Sequence, residues 1–317
     1  MIDSNRLQSG RTRVLFPRLS IQHRLPLLIC ILLLVVIIAV SWTSYIGMKN
    51  SAIEAGQQRL LTLTEQLSSM FQQSARQVRA NLRSTASHEA IKDALGNAAG
   101  KNYDSALTQL KKLQADTTVV DIQLLDISGK RVLNYAKNGA QITLNIVQAL
   151  RETSAQPEFT TVGNIYKMGD TMYYPIIAAV TSNNNTPIGH IVQWRKVSSN
   201  QRSVDQLSKF IGTDGALYIG NGDGKFWTNM LRKVEMPAFE KTKTPGIVSY
   251  MRNDARMIAS VRPITNTSWL VLVEFPRKTI EDQANQFLYW MIGAGIVLLL
   301  VSMMLAWSMS RNITRPL

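Results

Sequence analysis

Two long apolar runs dominate the hydrophobic pattern of the chain. Leu25–Ile46 contains 22 residues without a charge, and Phe287–Met309 contains 23. A helix needs roughly 20 apolar residues to cross the hydrocarbon core of a bilayer, so each run is long enough to span it. Trp and Tyr residues close or flank both runs, as they do at membrane interfaces. The pattern therefore predicts two transmembrane helices.

A cleaved signal peptide is the alternative for the first run. Its apolar stretch is much longer than the roughly 7–15 residues of a signal-peptide core, and Tyr45, Gly47 and Met48 do not form a small-x-small cleavage site. We therefore interpret the run as a membrane anchor.

Basic residues flank the two runs unequally. Seven of them lie outside the pair of runs: Arg6, Arg11, Arg13, Arg18, Arg24, Arg311 and Arg315. Fewer basic residues lie close to the runs on the inner side of the sequence. The positive-inside rule then places both termini in the cytoplasm and the intervening region outside it.

The region after the first run has helical periodicity from Met48 to Ala86. An apolar residue recurs every three or four positions, at Leu60, Leu63, Leu67, Met70, Phe71, Val78 and Leu82. This stripe can form a dimer seam along a rigid rod, or it can pack on the helix's own domain. Gly and Asn residues from Gly96 to Gly100 end the helical zone, and a shorter helix is predicted over Tyr103–Leu113.

From Val119 the period changes to that of strands. A hairpin is predicted around Asp126–Lys130, with Gly129 in its turn. A helical stretch near Leu144–Thr153 follows, and then strands near 159–168, 172–180 and 188–197.

The same order of elements recurs later in the chain. When Gly129 is aligned with Gly224, LLDISGKRVLN lies over YIGNGDGKFWTN with one residue of slack. Strands over 247–251, 256–264 and 269–275 follow the second hairpin. Two copies of one α+β unit predict two small domains in series.

The net charge of +14 suggests nucleic acid as a partner at first sight. Without the flanking basic residues the outer region retains about +8, which faces away from the cytoplasm and favours anionic headgroups or an anionic ligand. We therefore expect no nucleic-acid partner. The single cysteine, Cys30, lies in the first run, so the outer region has no disulfide.

Residues suited to catalysis are sparse. His23, His88 and His190 show no metal-ligand spacing. Gly220, Gly222 and Gly224 lack the Lys-Ser/Thr of a phosphate loop and fit a hairpin turn. The acidic residues at strand edges and turns, among them Asp121 and Asp126, are expected to face water or to cap turns. We expect no catalytic residues, metal or cofactor.

The two hairpins, Ile211–Asn229 and Ala255–Ile280 resemble the double Cache family of extracytoplasmic sensors, whose modules have a PAS-like antiparallel sheet. The resemblance covers roughly Met48–Ile280. It implies an α+β membrane protein with two transmembrane helices, a long N-terminal extracytoplasmic helix and two tandem PAS-like (Cache) modules. The implied boundaries are a cytoplasmic N-terminus 1–24, a first transmembrane helix 25–46, a helical region 48–118, a membrane-distal module 119–200, a membrane-proximal module 201–282, and a second transmembrane helix 287–309.

The segment 310–317 is similar to the start of a HAMP linker, which implies a role in signal transmission for Arg315 and Pro316. An ordinary basic stop-transfer flank is the alternative. If the HAMP interpretation holds, an output domain follows. The resemblance implies a sensor histidine kinase, with a chemoreceptor or a diguanylate cyclase as alternatives.

In Cache sensors the distal module usually holds a small-molecule ligand between aromatic walls and a few polar anchors. The corresponding residues here are Tyr135, Arg151, Tyr166, Lys167, Tyr173, Tyr174 and Trp194. Burial in the core is the alternative for the aromatic residues. Tyr218, Trp227, Tyr250 and Arg262 are weaker candidates in the proximal module. The Arg-x-Trp-Tyr motif of amino-acid-binding members is absent, which argues against a free amino acid as ligand.

The two apolar runs and the resemblance together predict the sensory input half of a homodimeric receptor in the bacterial inner membrane, with its central region periplasmic or extracellular. A membrane-anchored binding protein without signalling is the alternative from another class. An extracytoplasmic enzyme is a third.

Overall fold

The structure is a computed structural model. It describes residues 21–96, 103–136, 142, 144–147, 149–151, 160–197, 201–212, 214–239 and 245–314. The chain divides into two compact units: Glu54–Ile280, and Met1–Ile53 together with Glu281–Leu317.

Five helices have both ends among the described residues, and 147 and 149–151 are also helical, within the helical stretch predicted near Leu144–Thr153. Their bounds are α1 (Ile21–Ala86), α2 (Glu89–Leu95), α3 (Tyr103–Leu113), α4 (Gln201–Ile211) and α5 (Arg277–Thr314). The predicted end of the long helix at Ala86 is correct. The short helix α2 was not predicted separately. It begins after His88, whose Nδ1 accepts a hydrogen bond from the Ala90 backbone N–H at 3.2 Å and so caps the first turn.

The smaller unit contains the apolar parts of α1 and α5. By length and composition, Leu27–Ala86 and Arg277–Ser308 are both sufficient to cross a membrane, and their most apolar stretches are not buried within the protein. In this unit the Tyr45 hydroxyl donates to Asn285 Oδ1 at 3.0 Å, and Lys49 Nζ lies 3.5 Å from a Glu281 carboxylate oxygen.

The larger unit contains a first antiparallel sheet of six strands. The strands are β1 (Val119–Asp126), β2 (Arg131–Ala136), β3 (Thr161–Val162), β4 (Tyr166–Met168), β5 (Thr171–Thr181) and β6 (Pro187–Lys196). Their order is β2-β1-β6-β5-β3, and β4 also pairs with β5. Gly129 in the β1–β2 turn has φ +84°, a conformation that glycine adopts without steric cost.

A second six-stranded antiparallel sheet follows. Its strands are β7 (Ala216–Asn221), β8 (Trp227–Thr228), β9 (Lys233–Val234), β10 (Gly246–Arg252), β11 (Ala255–Pro263) and β12 (Trp269–Pro276). Their order is β10-β11-β12-β7-β8-β9. In both sheets the last strand lies beside the first strand of the hairpin. The internal repeat in the sequence therefore corresponds to a repeated strand order, although both sheets belong to one compact unit.

The apolar stripe of α1 packs on the chain's own sheets. Leu60, Leu63 and Leu67 contact the second sheet, and Leu82 contacts the first. Three of these four leucines are fully buried, and Leu63 is 8% exposed. Burying a leucine side chain contributes roughly 1.5–3 kcal/mol, so the stripe is a main source of stability for this unit. Packing of the stripe on its own domain is therefore observed, and a dimer seam along α1, which is compatible with it, stays a prediction.

Backbone and side-chain hydrogen bonds join the two sheets. Asn221, at the end of β7, accepts from the Ile165 N–H at 2.8 Å and donates to the Ile165 carbonyl at 3.0 Å. Trp269, at the start of β12, donates from Nε1 to the Gly163 carbonyl at 2.9 Å. The Trp269 ring also packs edge-on against Tyr174, with centroids 4.9 Å apart. We call these contacts the sheet joint.

Candidate ligand-binding site

The first sheet has two differently covered faces. One packs against α1, α2 and α3. The other, which we call the outer face, is covered by Ile142, Ile146 and Leu150 from the chain between β2 and β3. Side chains alternate between the faces along each strand, so strand position decides which side chains can form one site.

The structure distributes the seven predicted ligand-binding residues over different environments. Tyr166, Tyr173 and Trp194 lie on the outer face. Tyr135 and Tyr174 pack on the α1 side, against the other core cluster.

The two basic residues of the predicted set are both exposed. Lys167 lies on β4, and Arg151 lies at the end of the described cover of the outer face. The seven residues therefore do not surround one pocket, although their role as ligand contacts stays a prediction.

Asp121 is the residue on the outer face that the sequence interpretation missed. It was expected at a water-facing strand edge, but it is fully buried. Its Oδ2 accepts from Gln123 Nε2 at 2.6 Å and from the Ile142 N–H at 3.1 Å. Its Oδ1 has no hydrogen-bond partner among the described residues. Burial raises the pKa of the Asp121 carboxyl, and the contacts with Ile142 N–H, Gln123, Arg131 and the Ile122 N–H offset part of that rise.

A signal for Asp121 exists in the sequence. Asp121 and Gln123 stand two residues apart in the strand Val119–Asp126, whose other residues up to Leu125 are apolar. Two polar residues on one face of an otherwise apolar central strand indicate a buried polar site rather than a solvated edge, because the strand is covered on both sides.

Trp194 lies directly opposite Asp121 in the β1–β6 ladder. It is 1% exposed, and its indole Nε1–H has no acceptor among the residues that the structure describes. The Tyr166 ring packs edge-on against it, with centroids 6.2 Å apart and planes at 62°. The outer face thus presents, on neighbouring strands, a carboxylate oxygen and an N–H that no described residue pairs.

His190 attaches the cover to the outer face. It is 1% exposed and is hydrogen-bonded to the backbone of Leu150 and Asp126. Burial lowers the pKa of the imidazole, and the two backbone contacts offset part of this shift. His190 is therefore neutral near neutral pH, and its backbone contacts with Leu150 and Asp126 connect the cover to β1.

An open cleft of about 1060 Å³ adjoins the outer face. Arg151 and Tyr166 line it together with Asp223 and Lys225 from the β7–β8 turn. Tyr166 therefore contacts both the cleft and the buried Trp194. The lining offers charges of both signs beside an aromatic wall, which suits noncovalent recognition of a polar small molecule. No cluster of three or more metal-ligating side chains occurs within the described ranges.

Comparisons with known proteins identify the fold. No protein-family model matches the chain, and no curated protein matches it significantly. Several solved structures do. The extracellular domain of mmHK1S-Z2, a candidate histidine kinase, is 13% identical and covers 72% of this chain and 98% of its own length, with a TM-score of 0.53.

Two chemoreceptor domains are similar to the same extent. The ligand-binding domain of Pseudomonas aeruginosa PctB, solved with L-Arg, is 14% identical, covers 71% of this chain and 97% of its own, and has a TM-score of 0.51. The periplasmic sensory domain of Campylobacter jejuni Tlp1 is 13% identical, covers 72% and 98%, and has a TM-score of 0.51. The resemblance found in the sequence is therefore confirmed at the level of the fold: the chain has the fold of Cache-type sensory domains of chemoreceptors and histidine kinases.

Proposed function

We propose that this chain is the sensory input region of a transmembrane receptor and that it binds a small molecule at the outer face of the first sheet. One observation supports this above all. Asp121 and Trp194 are buried cross-strand partners, each with a polar atom that no described residue satisfies. Leaving a buried polar atom unpaired costs about 1–3 kcal/mol, so two such atoms side by side indicate a site that a ligand completes.

The geometry also suggests the class of ligand. A group that donates a hydrogen bond, such as an amine or amide N–H, suits Asp121 Oδ1, and an acceptor suits the Trp194 indole. Tyr166 and Tyr173 supply aromatic walls for a flat or apolar body. PctB was solved with L-Arg, a ligand that carries amino groups. Because the Arg-x-Trp-Tyr motif is absent here, we propose an amine- or amide-bearing compound other than a free α-amino acid.

The two sheets correspond in this proposal to the two modules expected from the sequence. The first, 119–200, is the membrane-distal module and the second, 201–282, the membrane-proximal one. Leu25–Ile46 and Phe287–Met309 span the inner membrane, so the sheets lie in the periplasm of a homodimer. The apolar character of both helices and the basic flanks support this arrangement.

Signal transmission completes the proposal. Binding shifts a conformational equilibrium, and α5 conveys the shift to a HAMP linker that begins near Arg311. Arg315 and Pro316, the residues proposed for transmission, lie outside the described residues. A histidine kinase is the output we favour, with a chemoreceptor or a diguanylate cyclase as alternatives. The similar domains come from both chemoreceptors and a candidate histidine kinase, in keeping with each of these outputs except the last.

A thermal-shift screen of the full chain in detergent micelles tests the ligand site. Organic acids, amines, nucleobases and sugars are the probes. A ligand at a hundred times its Kd adds about 2.7 kcal/mol to the free energy of unfolding, which is a readily measured shift of the midpoint. We expect an amine or amide to raise the midpoint in the native chain but not in Trp194→Phe. A shift that persists in Trp194→Phe would place the ligand elsewhere.

Topology and signalling need separate tests. In a Cys30→Ala background, a cysteine at exposed Lys167 should react with a membrane-impermeant maleimide added to intact cells, and a cysteine at Arg11 should not. Joining residues 1–317 to a HAMP linker and kinase should make kinase activity respond to the identified ligand. Replacement of Pro316 by Ala should weaken that response. An unaltered, ligand-independent kinase would favour a membrane-anchored binding protein without signalling.

A further inference from the structure

A second cleft lies at the sheet joint, on the α1 side of the first sheet and therefore away from the outer face. We call it the junction cleft. Its volume is about 250 Å³. Phe71 and Val78 of α1, Tyr174 of the first sheet, and Ile219 of the second sheet line it. A molecule held there touches three parts of the compact unit at once.

The junction cleft is lined mainly by apolar residues, and its charged lining residues are basic. The charged residues among the described lining are Arg195 and Lys196. Lys196 is exposed, whereas the side chain of Arg195 is 8% exposed. The cleft therefore combines apolar walls with a buried guanidinium whose charge is shared with the exposed Asp116, and this combination suits a small amphipathic anion.

Arg195 retains hydrogen-bonding capacity. One terminal nitrogen of its guanidinium donates to Asp116, which is partly exposed. Its Nε is buried and has no acceptor among the described residues. Tyr174 lies beside it, and burial raises the pKa of the Tyr174 hydroxyl, with Arg195 offsetting part of the rise. The hydroxyl therefore stays protonated and adds a second donor at the same end of the cleft.

We propose that the junction cleft is a second ligand site, which binds a small monocarboxylate through Arg195 and packs its apolar body between α1 and the two sheets. The size is suitable, because an engineered apolar cavity of roughly 150 Å³ in another protein holds benzene. A carboxylate accepts hydrogen bonds from a guanidinium in a favourable paired geometry. This site is separate from the proposed ligand site at Asp121 and Trp194.

Occupation of the junction cleft should stabilise the sheet joint. Trp269 lines the cleft and also forms the hydrogen bond to Gly163 that joins the sheets. A ligand that contacts both sheets favours the conformation in which they are joined, provided that it binds this conformation more tightly than the other. The site then couples a second chemical signal to the same conformational equilibrium.

Isothermal titration calorimetry on the full chain in detergent micelles tests the proposal. Benzoate and hexanoate are the probes, with benzamide and hexanamide as uncharged counterparts. We expect saturable binding of at least one acid and at least tenfold weaker binding of its amide. Absence of saturable binding by both acids, or equal affinity for acid and amide, would overturn the proposal.

Variants then locate the binding. Arg195→Met should weaken binding of the acid about ten- to a hundredfold, as expected for a lost charge-assisted hydrogen bond. Ser74→Trp fills the cleft from an exposed position on α1, so it tests the site without disturbing the Arg195–Asp116 pair. It should abolish binding.

Matched controls are available on the same helix. Arg76→Met and Gln73→Trp alter exposed residues that do not line the cleft, and both should bind the acid as the native chain does. Trp194→Phe should also leave acid binding unchanged. Acid binding that survives Ser74→Trp but is lost in Trp194→Phe would refute the junction site and assign the acid to the outer face.

Discussion

The two sheets share one strand order, and each contains a buried carboxylate. They differ in whether other residues of the protein satisfy both oxygens of that carboxylate. With Gly129 aligned on Gly224, Asp121 of the first sheet aligns on Ala216 of the second. The cross-strand partner of Asp121 is Trp194, and that of Ala216 is Glu274. The buried carboxylate thus lies on the first strand of the hairpin in the first sheet and on the last strand in the second sheet.

Glu274 is satisfied within the protein. Both of its oxygens accept hydrogen bonds, one from Arg252 at 2.6 Å and the other from the Tyr250 hydroxyl. Arg252 lies over the Tyr218 ring, 4.5 Å from its centroid. Burial and the Glu274 carboxylate raise the pKa of Tyr250, so its hydroxyl remains a donor. The second sheet therefore fills with its own groups the space that we propose a ligand fills in the first.

An unpaired indole alone does not distinguish the two sheets. Trp227 of the second sheet is also 1% exposed, and its Nε1 also lacks a partner among the described residues. Both indoles also pack edge-on against an aromatic ring, Trp194 against Tyr166 and Trp227 against Phe239 at 5.8 Å. Among the described residues, the difference is that an unpaired carboxylate oxygen, Asp121 Oδ1, lies on the strand beside the unpaired N–H in the first sheet.

The largest effect is expected from Glu274→Ala. Removal of one partner from a buried ion pair costs about 3–5 kcal/mol, because Arg252 and Tyr250 lose their acceptor. Asp121→Ala should lower the free energy of unfolding by less than half as much, because it also removes a buried carboxylate whose hydrogen bonds are incomplete. Urea unfolding of the full chain in micelles, followed by tryptophan fluorescence, measures both. Equal losses would contradict the difference between the sheets, and Glu274→Gln should retain part of the native stability.

Asn221→Ala tests the sheet joint. We expect a loss of about 2–4 kcal/mol, because the buried N–H and carbonyl of Ile165 both lose their partner. The matched control is Asp126→Ala at the equivalent place in the first hairpin. The Asp126 side chain accepts hydrogen bonds from exposed turn groups of Ser128 and Lys130, and alanine keeps the backbone contact with His190, so the substitution should cost about 0.5–1.5 kcal/mol. Urea unfolding measures both variants. An equal loss in the free energy of unfolding for Asp126→Ala and Asn221→Ala would argue against a special role of the sheet joint.

Trp194→Phe and Trp227→Phe form the sharpest pair. Each removes a buried indole N–H that makes no hydrogen bond to a described residue, so each should cost only about 1–2 kcal/mol through lost packing. Only Trp194→Phe should weaken binding of the ligand found in the thermal-shift screen, by at least tenfold in Kd. If Trp227→Phe weakens ligand binding equally, the ligand does not bind specifically at the first sheet.

The smallest effect concerns pH. Because the folded-state pKa of Asp121 is raised above its ordinary value, folding binds an additional proton in the interval between the two values. The stability cost of ionised Asp121 is therefore present at neutral pH and disappears as pH falls below the raised pKa. Asp121→Asn should be slightly more stable relative to the native chain at pH 7 than at pH 4. Parallel unfolding curves at the two pH values measure this difference, and a constant difference would show that Asp121 does not titrate as described.

Much of the architecture followed from local patterns. The strand periods and the Gly129 and Gly224 turns predicted both hairpins and most later strands, because a strand buried on one or both faces and a tight turn leave direct signatures in sequence. The repeat was visible for the same reason. The end of α1 at Ala86 also agreed, whereas the break before α2 did not, since it depends on capping by His88 rather than on a glycine or proline.

The candidate site was predicted less well, for a physical reason. Tyr135, Tyr174 and Trp194 were predicted as ligand contacts because they are aromatic. The alternation of side chains along the strands places the two tyrosines on the α1 side and Trp194 on the outer face. Asp121 was assigned to solvent because an acid near a strand edge usually is solvated. Its burial depends on the cover formed by Ile142, which is distant in the sequence.

The sequence by itself determined the two apolar helices, the amphipathic stripe of α1 and the repeated strand order. Each of these depends on periodicity and on the conformational preferences of nearby residues. Tertiary structure alone decided that Asp121 faces Trp194, that Glu274 is satisfied by Arg252 and Tyr250, and that Arg195 borders a cleft between the sheets. These pairings join residues far apart in the chain, and they depend on register and packing rather than on local preference.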